Sequence, residues 1–432
     1  MRYRFSDIPY LLKTPVGRSA IMSGIRHHSI PVLAPVAACY RMTLGARTRT
    51  VAVVGSFGKT TATRAAATAL DLPFTSRGTS NALSAVALSI LRTRPWQSHA
   101  MFEAGIDNLG QMAIFARMIR PDITVVTCIG SEHNRSLKSL EVTRAEKARM
   151  VAALPEKGLA VLNGDDPHVL WMRTQTRARV MTFGFGDGND VRATDVELNW
   201  PGGTRFQLHI CGDRHPASVK LIGRHMIYPI LAAAAVALAE GRPLGHALEC
   251  LGRLDPTPCR MEPLALSNGA WLLNDSIKSS IETIHAALDV FEQIPAARRL
   301  AVMGEVFEPP GSQGPIYKEI GRRIAGMAKK VVILGGSFQP YATGARRAGM
   351  SPSDVMNAGR SVEKAAEMLT SVLRPGDVVL IKGRDSQRLE RIALMLQGRT
   401  VRCSINHCRV RGLRCADCPM LGKEWGSKEA VT

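Results

Sequence analysis

Aromatic side chains are scarce in this 432-residue sequence. Phe, Trp and Tyr make up 5% of it, so Ala, Val, Leu and Ile must supply most of any core. Such a composition suits a parallel sheet covered by helices. No apolar run approaches the roughly 20 residues that a transmembrane helix needs, and residues 1–50 lack the charged start and apolar block of a secretory signal. We therefore expect a cytoplasmic α/β protein.

Acidic residues are also few, since 36 Asp and Glu stand against 56 Lys and Arg, for a formal charge of +20. Within residues 1–50 eight basic residues face a single acid, Asp7. This excess can attract nucleic acid, anionic membranes or acidic substrates. No aromatic platform or nucleic-acid motif accompanies it. We expect no nucleic-acid partner and at most weak association with a membrane surface.

The most informative segment is Val-Ala-Val-Val-Gly-Ser-Phe-Gly-Lys-Thr-Thr at 51–61. Its apolar run predicts a buried strand, and residues 62–70 predict a helix directly afterwards. Glycines at such a junction let backbone N–H groups turn towards an anion, and the helix N-terminus adds partial positive charge. Lys59 would reach the terminal phosphates of ATP and Thr60 would face magnesium. The predicted phosphate cradle comprises Gly55, Ser56, Gly58, Lys59, Thr60 and Thr61.

The spacing of this loop is unusual, because only two residues separate Gly55 from Gly58. The common phosphate loop has four residues between its first glycine and the Gly-Lys pair. A glycine-rich turn without a ligand is the alternative interpretation. The position of the loop in a βαβ unit favours the phosphate site.

The order of apolar periods predicts two α/β domains. Strand-like and helix-like runs alternate from residue 50 to about 185, which is typical of a doubly wound domain. Residues 190–222 alternate apolar and polar side chains, which predicts a small antiparallel section. A proline-rich linker at 251–263 precedes a second, Rossmann-like α/β unit. We expect a basic N-terminal segment at 1–49, a P-loop ATP-binding domain at 50–255, a C-terminal domain at 256–400 and a cysteine-bearing tail at 401–432.

Ten motifs follow one another between about residues 50 and 395: GSFGKTT at 55–61, FEAG at 102–105, RPDITVVTCIGSEH at 120–133, AEKARMV at 145–151, LNGDDP at 162–167, GRHMIYPILAAAAVAL at 223–238, CRME at 259–262, NDS at 274–276, MGE at 303–305 and GDVVLIKG at 376–383. In this order they resemble the Mur ligase family, most of all its MurF-type branch. The resemblance implies a ligase that activates a carboxylate with ATP and magnesium. The acyl phosphate is then attacked by an amine to give an amide, and ADP and phosphate are released.

The same resemblance assigns three residues to magnesium. Glu103 ends a strand and matches the family's magnesium-binding glutamate, and an oxygen ligand suits a hard cation. His133 matches a ligand of the second metal. Lys147 matches a lysine that is carbamylated in the family, which would make it an anion able to bind magnesium. The alignment at this helix leaves Arg144 and Arg149 as alternatives.

In the second domain, Arg260 matches an arginine that reaches the nucleotide, and Asp275 matches the acid that holds the ribose hydroxyls. Domain closure would then complete the ATP site. Lys382, Gly383 and Arg384 resemble a region that meets the incoming amine or phosphate. A surface loop after a strand is the alternative for these three.

The sequence departs from the family pattern at several positions. Met226 and Pro229 stand where the family has two asparagines, the second of which contacts adenine. Ile277 and Lys278 replace a Tyr-Asn pair, and Lys278 could face an anionic substrate. About 50 residues precede the phosphate loop, too few for a UDP-sugar domain. We therefore expect the carboxylate to differ from a UDP-muramoyl peptide.

The tail carries four closely spaced thiols, Cys403, Cys408, Cys415 and Cys418. The CxxC pair at 415–418 and two further ligands from Cys403, His407 and Cys408 could close a tetrahedral zinc site. The spacing disfavours an iron–sulfur cluster, and it matches no standard zinc pattern. A reduced tail without metal is the alternative.

Two other functions are compatible with the sequence. A non-catalytic nucleotide-binding or scaffold protein is favoured by the altered adenine segment and disfavoured by Lys59, Glu103, His133 and Asp275 together. A nucleic-acid-associated ATPase is supported by charge alone.

Overall fold

The chain forms two units in this computed structural model, which describes residues 12, 15–73, 81–131, 134–309, 311–408, 410 and 413–424. The first unit is Arg26–Asp255, and the second runs from Pro256 onwards, together with the start of the first helix up to Ile25. The predicted His133 lies outside the described residues. No described helix combines the length and apolar content that crossing a bilayer requires.

The first unit contains the phosphate loop and one large sheet. Its described helices and strands are α1 (Pro15–Met42), β1 (Arg49–Val54), α2 (Lys59–Ala69), α3 (Leu83–Arg92), β2 (His99–Glu103), α4 (Gln111–Ile119), β3 (Ile123–Val126), α5 (Asn134–Leu137), α6 (Leu140–Ala152), β4 (Leu159–Asn163), α7 (Pro167–Leu170), β5 (Arg179–Gly184), β6 (Val191–Asn199), β7 (Gly203–Ile210), β8 (Asp213–Val219), α8 (Ile227–Ala239) and α9 (Leu244–Arg253).

The sheet of the first unit has the described order β2-β1-β3-β4-β5-β6-β7-β8. β1 pairs in parallel with β2 on one side and with β3 on the other. Val51 to Val54 are fully buried, as the apolar run predicts for a strand covered on both faces. The chain order reverses at β1, so the carboxyl ends of β1 and β3 flank the crevice in which doubly wound sheets bind ligands.

The antiparallel section is continuous with this sheet. β6 pairs with β5 in parallel at Phe183 and Gly184, and β6, β7 and β8 then pair in antiparallel fashion. The sequence predicts the three strands, but their fusion to the parallel sheet depends on a two-residue pairing that no local pattern encodes.

The segment before residue 50 contributes to the first unit through Arg41 at the end of α1. The Arg41 guanidinium is buried and donates to the carboxylate of Asp122 at 3.1 Å, to the hydroxyl of Thr50 at 3.2 Å and to the carbonyl of Ile119 at 3.1 Å. Burial lowers the pKa of Arg41, while Asp122 acts in the opposite direction. The sequence predicts residues 1–49 as a separate basic segment. In the structure, one of its basic side chains, Arg41, is buried in the first unit.

The second unit contains a second sheet and its helices. Its described strands and α-helices are β9 (Glu262–Ala265), β10 (Trp271–Asp275), α10 (Ile281–Gln293), β11 (Arg298–Met303), α11 (Gln313–Ala325), β12 (Lys330–Leu334), α12 (Phe338–Arg347), β13 (Val355–Gly359), α13 (Val362–Thr370), β14 (Asp377–Lys382) and α14 (Glu390–Leu396). The six described strands have the order β13-β12-β11-β14-β10-β9. All neighbours are parallel except β9, which is antiparallel to β10.

Both edge strands of this sheet and one of its helices have weak sequence patterns. β9 and β13 are the two edge strands, and β9 contains Pro263, which an edge strand tolerates because the donor that proline lacks is not needed on the side without a neighbour. The helix α12 includes Pro340 and Gly344, two residues with weak helix propensity. Tertiary packing, with Tyr341 and Ala345 buried, stabilises it instead.

Glu240 ties the amino ends of two strands to the end of α8. Its carboxylate accepts hydrogen bonds from Arg49 at 2.5 and 3.1 Å and contacts His99 Nε2 at 2.8 Å. The side chain is 8% exposed. These partners, His99 first and then Arg49, lower the pKa of Glu240 to about 2, against the effect of burial.

Replacing Glu240 with Gln should lower the free energy of unfolding by about 1.5–3 kcal/mol, because charge-assisted hydrogen bonds are lost. The folded pKa lies below the ordinary value of 4.5, so this stabilisation is complete above about pH 4.5 and fades as the pH falls towards 2. Urea unfolding at pH 7 and at pH 3 measures both effects. The control Glu156→Gln removes an exposed carboxylate and should change little; equal losses in both variants would refute the role of Glu240.

Candidate nucleotide and ligation site

The loop after β1 turns through two glycines that have positive φ. Gly55 has φ of 140° and Gly58 has φ of 77°, a region that side chains disfavour. A Cβ on Gly55 would also lie 2.0 Å from Thr127 Oγ1. The glycines therefore allow the loop to pass directly against the end of β3 and to open into α2 at Lys59.

Ser56 is the buried centre of this loop. Its backbone N–H donates to the carbonyl of Cys128 at 2.8 Å. Its hydroxyl donates to the carbonyl of Gly130 at 3.1 Å and accepts the N–H of Gly130 at 2.9 Å. The loop after β1 and the loop after β3 are thus joined by three hydrogen bonds through one residue.

Two ammonium groups converge on Ser56. Lys59 is 6% exposed and donates to the carbonyls of Gly55 at 2.7 Å and Ser56 at 2.9 Å. Lys147, on α6, is 3% exposed and donates to the Ser56 hydroxyl at 2.9 Å. The fold brings together two cations that are 88 residues apart, at the carboxyl edge of the sheet where the phosphate loop was predicted.

The two alternatives to Lys147 point elsewhere. The guanidinium of Arg144 lies 4.1 Å from the ring centre of Trp171. The side chain of Arg149 is 56% exposed and pairs with Glu146 at 3.1 Å. Of the three basic residues on this helix, Lys147 is the one that contacts the phosphate loop.

Glu103 ends β2 next to β1, with its Cα paired to Val53. It is 3% exposed, and its Oε1 accepts a 3.3 Å hydrogen bond from Asn81. Its Oε2 is buried and has no hydrogen-bond partner among the described residues. Burying a carboxylate oxygen costs free energy unless a cation or a hydrogen-bond donor contacts it. Glu103 therefore fits a magnesium ligand. The buried Thr60 and Thr61 lie in the first turn of α2.

The segment with the lost asparagines has its own polar and aromatic contacts. The hydroxyl of Tyr228 donates to Asp165 at 2.9 Å, and its ring packs edge-on against Phe185, 4.7 Å between centres. The Arg224 guanidinium carbon lies over the Phe185 ring, 4.1 Å from the ring centre. Burial, followed by the nearby Asp165, raises the pKa of Tyr228. No local sequence pattern indicates this cluster, because its members come from three separate segments.

In the second unit, Asp275 and Lys382 form a buried ion pair at the carboxyl ends of adjacent strands. Lys382 Nζ lies 2.5 Å from Asp275 Oδ2, and their side chains are 1% and 10% exposed. The other carboxylate oxygen of Asp275 accepts the N–H of Met261 at 3.3 Å. Burial lowers the pKa of Lys382, while the attraction of Asp275 opposes this shift. The predicted Arg260, partly buried, is adjacent to Met261 in sequence.

A second polar group at this sheet edge includes Glu305, which follows β11. Its carboxylate lies 3.8 Å from Arg384 and accepts the N–H of Gly336 at 3.2 Å. The side-chain oxygen of Gln387 accepts the N–H of Glu305 at 2.8 Å. Sequence reasoning did not single out Glu305 or Gln387 as site residues, although the position of Glu305 just beyond a strand end was a usable signal.

The four thiols of the tail line one cavity, but their spacing gives the zinc hypothesis no support. Among the described residues, no three of Cys403, Cys408, Cys415 and Cys418 have sulfurs within 4.8 Å of one another. Four sulfurs around one zinc ion would lie about 3.8 Å apart, given Zn–S bonds of about 2.3 Å. His407 is exposed.

Comparison with known proteins identifies two domains. The family model for the Mur ligase middle domain matches residues 53–237, and the model for the Mur ligase, glutamate ligase domain matches residues 259–384. The UDP-N-acetylmuramoyl-tripeptide–D-alanyl-D-alanine ligase of Mycobacterium tuberculosis H37Rv is 28% identical over 418 residues, or 89% of this chain and 82% of that protein. The protein of the same name from Escherichia coli K12 is 28% identical over 279 residues, covering 63% and 61%.

Solved structures share the architecture. MurF from Acinetobacter baumannii has a TM-score of 0.76 at 22% identity, covering 86% of this chain and 81% of that one. The MurF ligase from Thermotoga maritima in complex with ADP has a TM-score of 0.73 at 23% identity, covering 86% and 84%. These likenesses confirm the predicted fold: a P-loop α/β domain followed by a Rossmann-like one.

Replacing Gly55 with Ala should weaken ATP or ADP binding about 5- to 150-fold, because a strained φ and the Thr127 contact would displace the loop at a cost of about 1–3 kcal/mol. Isothermal titration with ADP and magnesium measures the change. Gly188 is exposed and has open space around its Cα, so Gly188→Ala is the matched control. Unchanged affinity in the Gly55 variant would show that the loop does not hold the nucleotide.

Replacing Asp275 with Asn should lower the free energy of unfolding by about 3–5 kcal/mol, because it leaves the Lys382 ammonium buried without its counter-charge. The double variant Asp275→Asn/Lys382→Gln removes both charges and should recover part of this loss. Urea unfolding measures both, with the exposed Glu292→Gln as control. Additive losses in the double variant would contradict a coupled pair.

Proposed function

This chain belongs to the Mur ligase family and is an ATP-dependent ligase that forms peptide bonds, and on this basis we propose how its residues perform the reaction. A carboxylate substrate is phosphorylated by ATP, and an amine then attacks the acyl phosphate. The observation that carries this proposal is the convergence of Lys59 and Lys147 on Ser56, beneath a glycine loop at the switch point of the sheet.

The Lys59 ammonium suits the first step. The carboxylate oxygen attacks the γ-phosphorus of ATP while the bond from that phosphorus to the β–γ bridging oxygen breaks, and ADP leaves with the electron pair. Negative charge therefore moves between two polyanions in the transition state, and fixed cations stabilise it. We propose that Lys59, in the first turn of α2, contacts the terminal phosphates.

Magnesium fits this site because Glu103 offers a buried carboxylate oxygen without another partner among the described residues. Glu103 and the Thr60 hydroxyl would hold the ion, which would neutralise phosphate charge when bound. We propose that Lys147 joins them after carbamylation, and His133 remains a predicted ligand. The four residues are those expected from the sequence.

The second step joins the substrates. The amine nitrogen attacks the acyl carbon, the bond from that carbon to the phosphate oxygen breaks, and the nitrogen loses its extra proton to solvent. We propose that Lys382, Gly383 and Arg384 serve this step, that Asp275 and Arg260 bind the nucleotide, and that the two catalytic domains span residues 50–255 and 256–400. Support comes from the position of these side chains at strand ends.

The relatives suggest the substrates to test first. The two relatives described above are named for a UDP-N-acetylmuramoyl tripeptide and D-alanyl-D-alanine. The expectation that the carboxylate differs from a UDP-muramoyl peptide receives no support from them. We propose a peptide carboxylate and a D-alanyl-D-alanine-like amine as the substrate pair. Lys278, near Lys382, is a candidate contact for an anionic group.

ADP release should require magnesium, a carboxylate and an amine together, and Lys59→Ala should reduce it at least about a hundredfold because phosphate charge is no longer neutralised. A coupled ADP assay, first with the UDP-muramoyl tripeptide and D-alanyl-D-alanine and then with a substrate pool, measures this rate. Lys157→Ala alters an exposed lysine of the same unit and should leave the rate unchanged. Full activity in the Lys59 variant would contradict its phosphate role, and ADP release stimulated by RNA or DNA alone would favour a nucleic-acid ATPase.

A further inference from the structure

The four tail cysteines come together in space although they are spread over sixteen residues of sequence. Cys403, Cys408, Cys415 and Cys418 all line one cavity of about 30 Å³ beside α14. By the same measure one buried water needs roughly 10–15 Å³. All four thiols are free, and Cys415 is buried. The cavity therefore offers four sulfur ligands around a space larger than a single atom.

The separation of the sulfurs distinguishes between kinds of metal centre. One tetrahedral ion draws all its ligands close together, and no three of these sulfurs in the described structure lie within 4.8 Å. An iron–sulfur cluster spreads its four cysteine ligands over several irons, so the thiolates stand further apart. The arrangement in space therefore disfavours one tetrahedral ion and is compatible with a cluster, in contrast to the expectation from the spacing in sequence.

Two arginines bring positive charge to the cavity, although Arg388 already pairs with Asp385 at 3.0 Å and with Glu390 at 3.6 Å. Arg388 and Arg391 line the cavity, and their residues are 5% and 1% exposed. The Nε of Arg388 is buried and has no hydrogen-bond partner among the described residues. A cluster ligated by four thiolates carries net negative charge, and buried cations next to it would offset that charge.

The same arginines hold the tail in position. Arg391 donates to the carbonyls of Cys403 and Ile405, the latter at 2.5 Å, and Arg388 donates to the carbonyl of Val410. Glu390 accepts the N–H of Cys415 at 2.7 Å. Three side chains within about one turn at the start of α14 therefore position the backbone on which the cysteines lie, so the ligands are set by the fold.

We propose that this cavity binds an iron–sulfur cluster through Cys403, Cys408, Cys415 and Cys418. On binding, each thiol loses its proton to solvent and its sulfur bonds to an iron, and the cell supplies the iron and sulfide. The site belongs to the second unit and is separate from the residues assigned to ATP and magnesium. It gives the tail a role that neither domain of the ligase requires.

The full-length chain, produced with added iron and cysteine and purified without oxygen, tests this proposal. We expect about two or about four iron atoms per chain, with an equal number of acid-labile sulfides and the visible absorption of a thiolate-ligated cluster. Less than about a tenth of an equivalent of iron, or one zinc ion without sulfide, would overturn it. This measurement on the unaltered chain does not depend on how any variant folds.

Two variants locate the ligands. Cys408→Ser and Cys418→Ser should each lower iron and sulfide content at least about tenfold, because a cluster needs its four thiolates. Cys211 is exposed in the other unit and is the matched control, so Cys211→Ser should keep the full iron content. Equal iron loss in the control, or full retention in both tail variants, would overturn the assignment.

Discussion

The hydroxyl of Ser56 is the point on which the loops after β1 and β3 in the first unit depend. It is fully buried, donates to one carbonyl, and accepts hydrogen bonds from one backbone N–H and from the Lys147 ammonium. A hydroxyl has one proton and two lone pairs, so its bonding capacity is complete. Because Lys59 also donates to the Ser56 carbonyl, two like charges are confined around one residue. An anionic group, either a bound phosphate or the carbamate proposed for Lys147, would offset this repulsion.

Much of this region was predictable from sequence because its signals are local. A fully apolar strand, two glycines and a helix start are contiguous, and the structure places β1, the loop and α2 accordingly. Glu103 was also predictable as a strand-end acid. The contact of Lys147 with Ser56 was not, since it joins positions 91 residues apart and requires the packing of α6 against the sheet. Family resemblance supplied that residue, and the fold explains why Arg144 and Arg149 do not reach the loop.

Long-range pairing also explains why other contacts of the structure could not be predicted from the sequence. The register of β10 against β14 places Asp275 opposite Lys382, and no local pattern relates these two strands. Asp165 meets Tyr228 for the same reason. In the tail, the intervals between cysteines suggested a single ion, whereas Arg388 and Arg391 arrange the backbone so that the sulfurs surround a larger space. Ligand geometry in irregular segments depends on such anchoring contacts, which sequence spacing does not report.

The buried guanidinium of Arg41 indicates that the folded first unit begins before the residues that the family model matches. Family matching starts at residue 53, yet Arg41 supplies the counter-charge of Asp122, which also accepts the N–H of Thr50 at the start of β1. A fragment cut at the family boundary would lose this cation and uncap the amino ends of β1 and β3. The part of the chain that folds as one unit therefore includes at least the last turns of α1. It extends beyond the residues that the family model matches.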